Sequence, residues 1–249
     1  MKRISTVNLD ELMKWNEEKG ADHPGRGSRS FSHAFLPEET GESEALWERA
    51  REAGVPVIRA EMKSLLRVLL LAKRPVRILE IGTAVGYSAL FMRECMQLRG
   101  FSGEIKPDSF LIDTIEKDET RYVEALENFR KAGAEEIHAH LGDAAEVIGE
   151  LPGPYDFVFM DAAKAQYGVY LDKLMDRLMP GAMIVTDNIL QEGAMTESRY
   201  ISDKRDRTIH DRLREYLFRI NHTPFQTTLL DTGDGVAVSI YSVSGENSL

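Results

Sequence analysis

The stretch Arg77-Ile78-Leu79-Glu80-Ile81-Gly82-Thr83-Ala84-Val85-Gly86-Tyr87-Ser88 constrains the fold of this chain more than any other. A short apolar run stops at a glycine turn, and an amphipathic segment opens near Ser88. Strand, tight turn and helix in that order bring bare backbone N–H groups and a helix N-terminus up to a ligand. The dinucleotide fingerprint G-x-G-x-x-G is not met: Ala84 stands two residues after Gly82, and the next glycine is Gly86. Taken alone, the run is also compatible with a tight turn that binds nothing.

The same alternation continues along the chain. Helical spacing covers residues 8–19, 41–53 and 58–73, the last through Met62, Leu65, Leu66, Leu69 and Leu70. Between the first two lies a Gly-, Ser-, Arg- and His-rich stretch, Gly20 to Ser32, expected to be a mobile loop. Strands are expected at 77–81, 110–115, 137–141, 155–160 and 182–186, with helices between them. Runs such as Phe157-Val158-Phe159-Met160 and Met183-Ile184-Val185 read as strands buried on both faces. Phe225 to Leu230 and Val236 to Tyr241, joined by Asp231-Thr232-Gly233-Asp234-Gly235, read as an antiparallel hairpin at the sheet edge. The fold class is therefore α/β: a Rossmann-like, seven-stranded, mostly parallel sheet with helices on both faces. The expected division is an N-terminal helix and mobile loop over 1–40 and one domain over 41–249, the N-terminal helices covering one end of the sheet.

With 249 residues and 43% apolar content the chain can build a substantial core. A net charge of −10 argues against indiscriminate binding to nucleic acid or anionic membrane, while leaving room for a local basic patch. Cys95 is the only cysteine, which excludes intrachain disulfides and cysteine-clustered zinc; it is expected on the buried face of the helix after the glycine loop. There is no apolar run of membrane-spanning length and no apolar signal core after Met1, so a soluble cytoplasmic protein without a membrane partner is expected.

Ligands on such sheets bind at the carboxyl ends of the strands. The first strand ends at Glu80 and Gly82. The second ends at Glu116, where a carboxylate would meet a ribose diol or merely cap a helix. The third ends in Gly142-Asp143-Ala144, where Asp143 suits an adenine amino group or, nearly as well, an N-cap. The fourth and fifth end in Asp161 and in Asp187-Asn188. Two carboxylates and an amide at adjacent strand ends are hard oxygen ligands suited to Mg²⁺, Mn²⁺ or Ca²⁺, although Asp and Asn are also ordinary turn residues. His210 and His222 read as surface or packing residues.

The glycine run, in the form E-x-G-x-x-x-G-x-S, resembles the cofactor loop of class I S-adenosylmethionine-dependent methyltransferases. Residues 55–241 are more specifically similar to the metal-dependent O-methyltransferases of the catechol and caffeoyl-CoA type. The resemblance rests on Glu80 to Ser88, Thr114-Ile115-Glu116, Gly142-Asp143-Ala144, Phe159 to Tyr167, Thr186-Asp187-Asn188 and Gly233-Asp234-Gly235, in matching order and spacing. It implies that Glu80, Gly82, Ser88, Glu116, Asp143, Ala144 and Asp161 line the S-adenosyl-L-methionine pocket, with Ile58 touching the cofactor from the less clearly matched Val57-Ile58. It also implies metal ligation by Asp161, Asp187 and Asn188, a catalytic lysine at Lys164 and a homodimer. The link Gln97 to Ser109 is longer than the family's, and residues 1–40 match poorly.

The chemistry is consistent with these residue types. A phenol-like hydroxyl with a pKa near about 10 is protonated at neutral pH. Coordination to a divalent cation favours its oxyanion, and chelation by two vicinal oxygens fixes the attacking atom. Lys164, three residues after a proposed ligand, can take the proton; without the resemblance it would read as a solvated lysine opening a helix. Tyr167 is expected to pack. A Rossmann dehydrogenase is disfavoured by the missing fingerprint, and a cofactor-binding module without catalysis by the intact Asp161, Lys164, Asp187 and Asn188. The segment 199–216 resembles that of bacterial tRNA 5-hydroxyuridine methyltransferases, a branch of the same family. That resemblance puts tRNA slightly ahead of a small catechol-like acceptor, with Arg26, Arg29, Arg205, Arg207, Arg212 and Arg214 as the phosphate-contacting rim. The plain alternative for 199–216 is a solvated helix of alternating charge.

Overall fold

The computed structural model describes residues 42–98, 110–190 and 204–242. The expectations for 8–19, for Gly20 to Ser32 with Arg26 and Arg29, and for most of 97–109 lie outside them. Among the described residues one sheet has the order β3-β2-β1-β4-β5-β7-β6. Its strands are β1 (Arg77–Ile81), β2 (Leu111–Glu116), β3 (Ile137–Leu141), β4 (Tyr155–Met160), β5 (Leu178–Thr186), β6 (Phe225–Leu230) and β7 (Val236–Tyr241). The first five are parallel, and β7 turns back antiparallel on β5 with β6 beyond it. The helices are α1 (Glu42–Glu52), α2 (Ala60–Lys73), α3 (Tyr87–Gln97), α4 (Glu119–Lys131), α5 (Ala144–Glu150), α6 (Tyr167–Leu174) and α7 (Lys204–Ile220).

Alternation along the strands divides the core into two layers, because successive side chains leave opposite faces. Ile78, Ile112, Phe157, Phe159 and Val185 face the layer containing α2, α3 and Phe129 of α4. Leu79, Ile81, Ile115, Val158, Met160 and Ile184 face the layer containing α5, α6 and α7. Cys95 is buried in the first layer, as expected. The α2 stripe Met62, Leu66 and Leu70, with Leu46 and Ala50 of α1, is buried in the same cluster as α3, so both helices join the first layer.

Strand β5 starts earlier than the expected 182. Leu178 pairs with Tyr155, and the register then shifts before Phe157 meets Met183. Helix α7 is amphipathic: Leu213, Tyr216 and Ile220 are fully buried, while Arg207, Asp211, Arg212 and Glu215 are exposed.

Candidate active site

The glycine turn after β1 is a point of close approach. Gly82 has φ 104°, and a Cβ there would overlap the carbonyl oxygen of Asp161. Two hydrogen bonds lace the strand ends together: Asp161 N donates to Ile81 O at 3.0 Å, and Gly82 N to Ile115 O at 3.0 Å. The carboxyl ends of β1, β2 and β4 thus meet at one spot. Glu116 closes β2 and accepts from three backbone amides, Ala84 N at 2.8 Å, Lys117 N at 3.0 Å and Asp118 N at 2.8 Å. A carboxylate so held is fixed in orientation and still has lone pairs for a ligand diol.

A cleft of about 330 Å³ opens above this meeting point. Ile58, Gly82, Ser88, Glu116, Ala144 and Asp161 all line it. Asp143 is not among the lining residues, though its neighbours Gly142 and Ala144 are. Its carboxylate caps α5 by accepting from Ala145 N at 3.0 Å and pairs with Lys117 Nζ at 2.7 Å. Those contacts hold the Asp143 carboxyl below its ordinary range, led by the Lys117 hydrogen bond. Tyr87 and Tyr170 also line the cleft. The sequence offered no signal for Tyr170, which reads as a core position of α6.

Glu80 lies beneath the cleft and is fully buried. Thr114 Oγ1 donates to its Oε2 at 2.5 Å, while its Oε1 has no hydrogen-bond partner. Burial pushes the carboxyl up to about 8, against the opposing Ser88 and Thr114 hydroxyls. A buried acid with an orphaned oxygen beside a cleft suits a ligand that brings a hydrogen-bond donor or positive charge. The cleft, the diol-ready Glu116 and this oxygen together fit a nucleoside carrying an amino-acid tail.

The second cluster stands at the ends of β4 and β5. Asn188 Nδ2 donates to Asp161 Oδ1 at 3.1 Å, and Asn188 N to Asp187 Oδ1 at 2.7 Å. Asn188 has φ 60°, a left-handed turn that asparagine tolerates and that keeps the three side chains together. Burial raises the Asp161 carboxyl above its ordinary value. Burial, followed by the Asp161 charge, pushes Asp187 up to about 7. Two carboxyls that resist ionising together have the electrostatics of a site that favours a cation. Among the described residues no three His, Cys, Asp or Glu side chains converge at metal spacing. The donor set is instead two carboxylates and one amide, hard oxygens that fit a divalent cation keeping several waters.

Lys164 follows β4 on a short 3-10 turn, and its Nζ lies 3.4 Å from Asp234 Oδ2. Asp234, only 5% exposed, belongs to the matched Gly233-Asp234-Gly235 turn, but sequence reasoning attached no role to it. The turn is tied to the residues after Asn188: Leu190 N donates to Asp234 O at 2.8 Å and Ile189 N to Gly235 O at 3.0 Å. Tyr167 packs, as expected; it is fully buried against Tyr216, and its hydroxyl donates to Asp187 O at 3.1 Å. His210 is buried, and exposed His222 packs on Phe218 with the two rings tilted by 35°. Of the proposed rim, Arg207 and Arg212 are exposed and Arg214 lies 3.7 Å from Asp211; the Arg205 side chain is outside the description.

The model of the O-methyltransferase family matches residues 43–240. A catechol O-methyltransferase of Niastella koreensis is 30% identical over 156 residues, 59% of this chain and 65% of that protein, so the match spans just under two thirds of that relative. A Staphylococcus aureus structure described as a putative caffeoyl-CoA O-methyltransferase superposes with a TM-score of 0.71 at 24% identity, covering 95% of this chain and all of that one. The O-methyltransferase TomG of Streptomyces achromogenes, solved with S-adenosylmethionine, gives 0.71 at 22% identity over 94% and 99% of the two chains. The matched family segment takes in every described strand but the last residue of β7, and this chain belongs to the O-methyltransferase family.

Proposed function

We propose that the protein is an S-adenosylmethionine- and divalent-metal-dependent O-methyltransferase acting on a hydroxyl next to a second oxygen. The carrying observation is that two sites of different chemistry share Asp161: a cleft lined by Glu116 with Glu80 buried beneath it, and a hard-oxygen cluster with Asp187 and Asn188. In this reading Glu116 holds the ribose diol, Glu80 meets the amino-acid tail, and Gly82, Ser88, Ile58 and Ala144 shape the walls. Asp143 orders the β3 end through Lys117 rather than touching the cofactor.

When bound, S-adenosylmethionine supplies a methyl group on a sulfonium sulfur that keeps the bonding electron pair as the methyl passes to oxygen. A divalent cation, Mg²⁺ foremost with Mn²⁺ or Ca²⁺ as alternatives, would be held by Asp161, Asp187 and Asn188 and would favour the ionised hydroxyl. Lys164 stands next to that cluster and takes the hydroxyl proton on Nζ. Asp161 serves both sites, so displacing it disturbs cofactor and acceptor together.

A small catechol-like acceptor is the leading substrate, because the relatives bear catechol and caffeoyl-CoA names. The second reading, 5-hydroxyuridine in tRNA, which the sequence alone put first, draws on exposed Arg207 and Arg212 along α7. A homodimer in the cytoplasm belongs to the same reading. Separate assays with a catechol panel and with hypomodified tRNA, read by mass spectrometry of product and nucleosides, decide the acceptor. Methylated catechol without 5-methoxyuridine supports the first reading, and 5-methoxyuridine alone replaces it with the second.

A further inference from the structure

Arg59 directly follows Pro56, Val57 and Ile58, which line the cleft, yet is not itself a lining residue. It stands immediately before α2 and reaches toward the β6–β7 turn: a Cβ at Gly233 would lie 3.8 Å from Arg59 Cδ. The next residue of that turn, Asp234, is the one paired with Lys164. That approach to the β6–β7 turn puts the Arg59 side chain beside the acceptor end of the site, where Lys164 meets Asp234.

The side chain is exposed, and among the described residues it makes no hydrogen bond or ion pair. Other arginines differ: Arg93 pairs with Glu136 at 2.8 Å, Arg219 pairs with Asp172, and Arg177 donates to Leu151 O at 2.9 Å. Asp234 is engaged with Lys164, and Asp187 with the Asn188 amide. A planar fork of donors left open at a site mouth matches a carboxylate or phosphate better than any neutral group. Resting on the acceptor reading above, we propose that Arg59 anchors an anionic group, carboxylate or phosphate, carried by the acceptor away from its vicinal oxygens.

The test is calorimetric binding with Mg²⁺ and S-adenosylhomocysteine present, using wild type, Arg59→Ala and Arg59→Lys. Two pairs of ligands serve: 3,4-dihydroxybenzoate with catechol, and 5-hydroxyuridine 5′-monophosphate with its nucleoside. Wild type should favour the anionic member of at least one pair, and the pair showing the preference names carboxylate or phosphate. Arg59→Ala should cut that preference about tenfold, with Arg59→Lys between, the scale of one charge-assisted contact. An unchanged preference overturns the assignment, and so does an equal loss of S-adenosylhomocysteine affinity, which would move Arg59 to the cofactor. Charge discrimination in binding without any methyl transfer would overturn the reaction and leave the anchor standing.

Discussion

Glu80 is a carboxylate that the fold keeps dry. Its folded-state value of about 8 compares with an ordinary 4.5, so between those limits the folded protein holds a proton that the unfolded chain has released. Stability of the cofactor-free protein therefore falls as pH rises through that window, at up to about 1.4 kcal/mol per pH unit from this group. Glu80→Gln removes the slope. In urea titrations, the variant's unfolding free energy should gain on wild type from pH 5 to 8, and a gap constant with pH would show that Glu80 is already ionised. The same variant should bind S-adenosylmethionine more weakly. Lys164 acts in turnover rather than in cofactor binding. Lys164→Ala should leave cofactor affinity within a few-fold and lower kcat by about 10²–10⁴, the range for a lost general base. Stopped assays from pH 6 to 9 check this, and an unchanged kcat removes Lys164 from the mechanism.

Among the elements, the β1 turn has the least tolerance. Gly82→Ala would force a Cβ against the Asp161 carbonyl at a φ that L side chains rarely adopt. Backbone strain alone costs roughly 1–3 kcal/mol, so thermal melting should drop by several degrees and cofactor affinity with it. An unaltered melting temperature would mean that the β1 and β4 ends can separate freely. Strands β1, β3, β4, β6 and β7 were legible to the residue because their apolar runs end in glycine, acid or turn residues. The start of β5 was not. Met179-Pro180-Gly181 reads as a turn, yet Leu178 already pairs with Tyr155 and the strand absorbs the break by a register shift. The place of α1 and α2 was also illegible, since a helical stripe says that a face is buried but not against what. Site residues followed the same division. Glu116, Asp161 and Asp187 sit at strand ends that local pattern locates. Arg59 and Asp234 lie 175 positions apart in the chain, and only the packing of the β6–β7 turn brings them to one site.

At the scale of the whole molecule, a chain of net charge −10 repels polyanions except where basic residues gather. If tRNA is the acceptor, its affinity should fall steeply with salt, and Arg207→Ala with Arg212→Ala should flatten the slope of log affinity against log salt by about 1–2. A slope near zero measured by filter binding would leave the α7 arginines as solvated surface. The two-site arrangement, however, has a consequence that holds for either acceptor: apart from the shared Asp161, cofactor binding and methyl transfer depend on different groups. The most direct measurement takes protein stripped of metal, verified by elemental analysis, and follows S-adenosylmethionine binding by calorimetry beside methyl transfer with and without added Mg²⁺. Binding should be nearly unchanged without metal, transfer should be abolished without it and restored on its return, and Asp187→Ala should lose transfer while keeping the cofactor. Full methyl transfer in the verified metal-free protein would contradict the metal dependence.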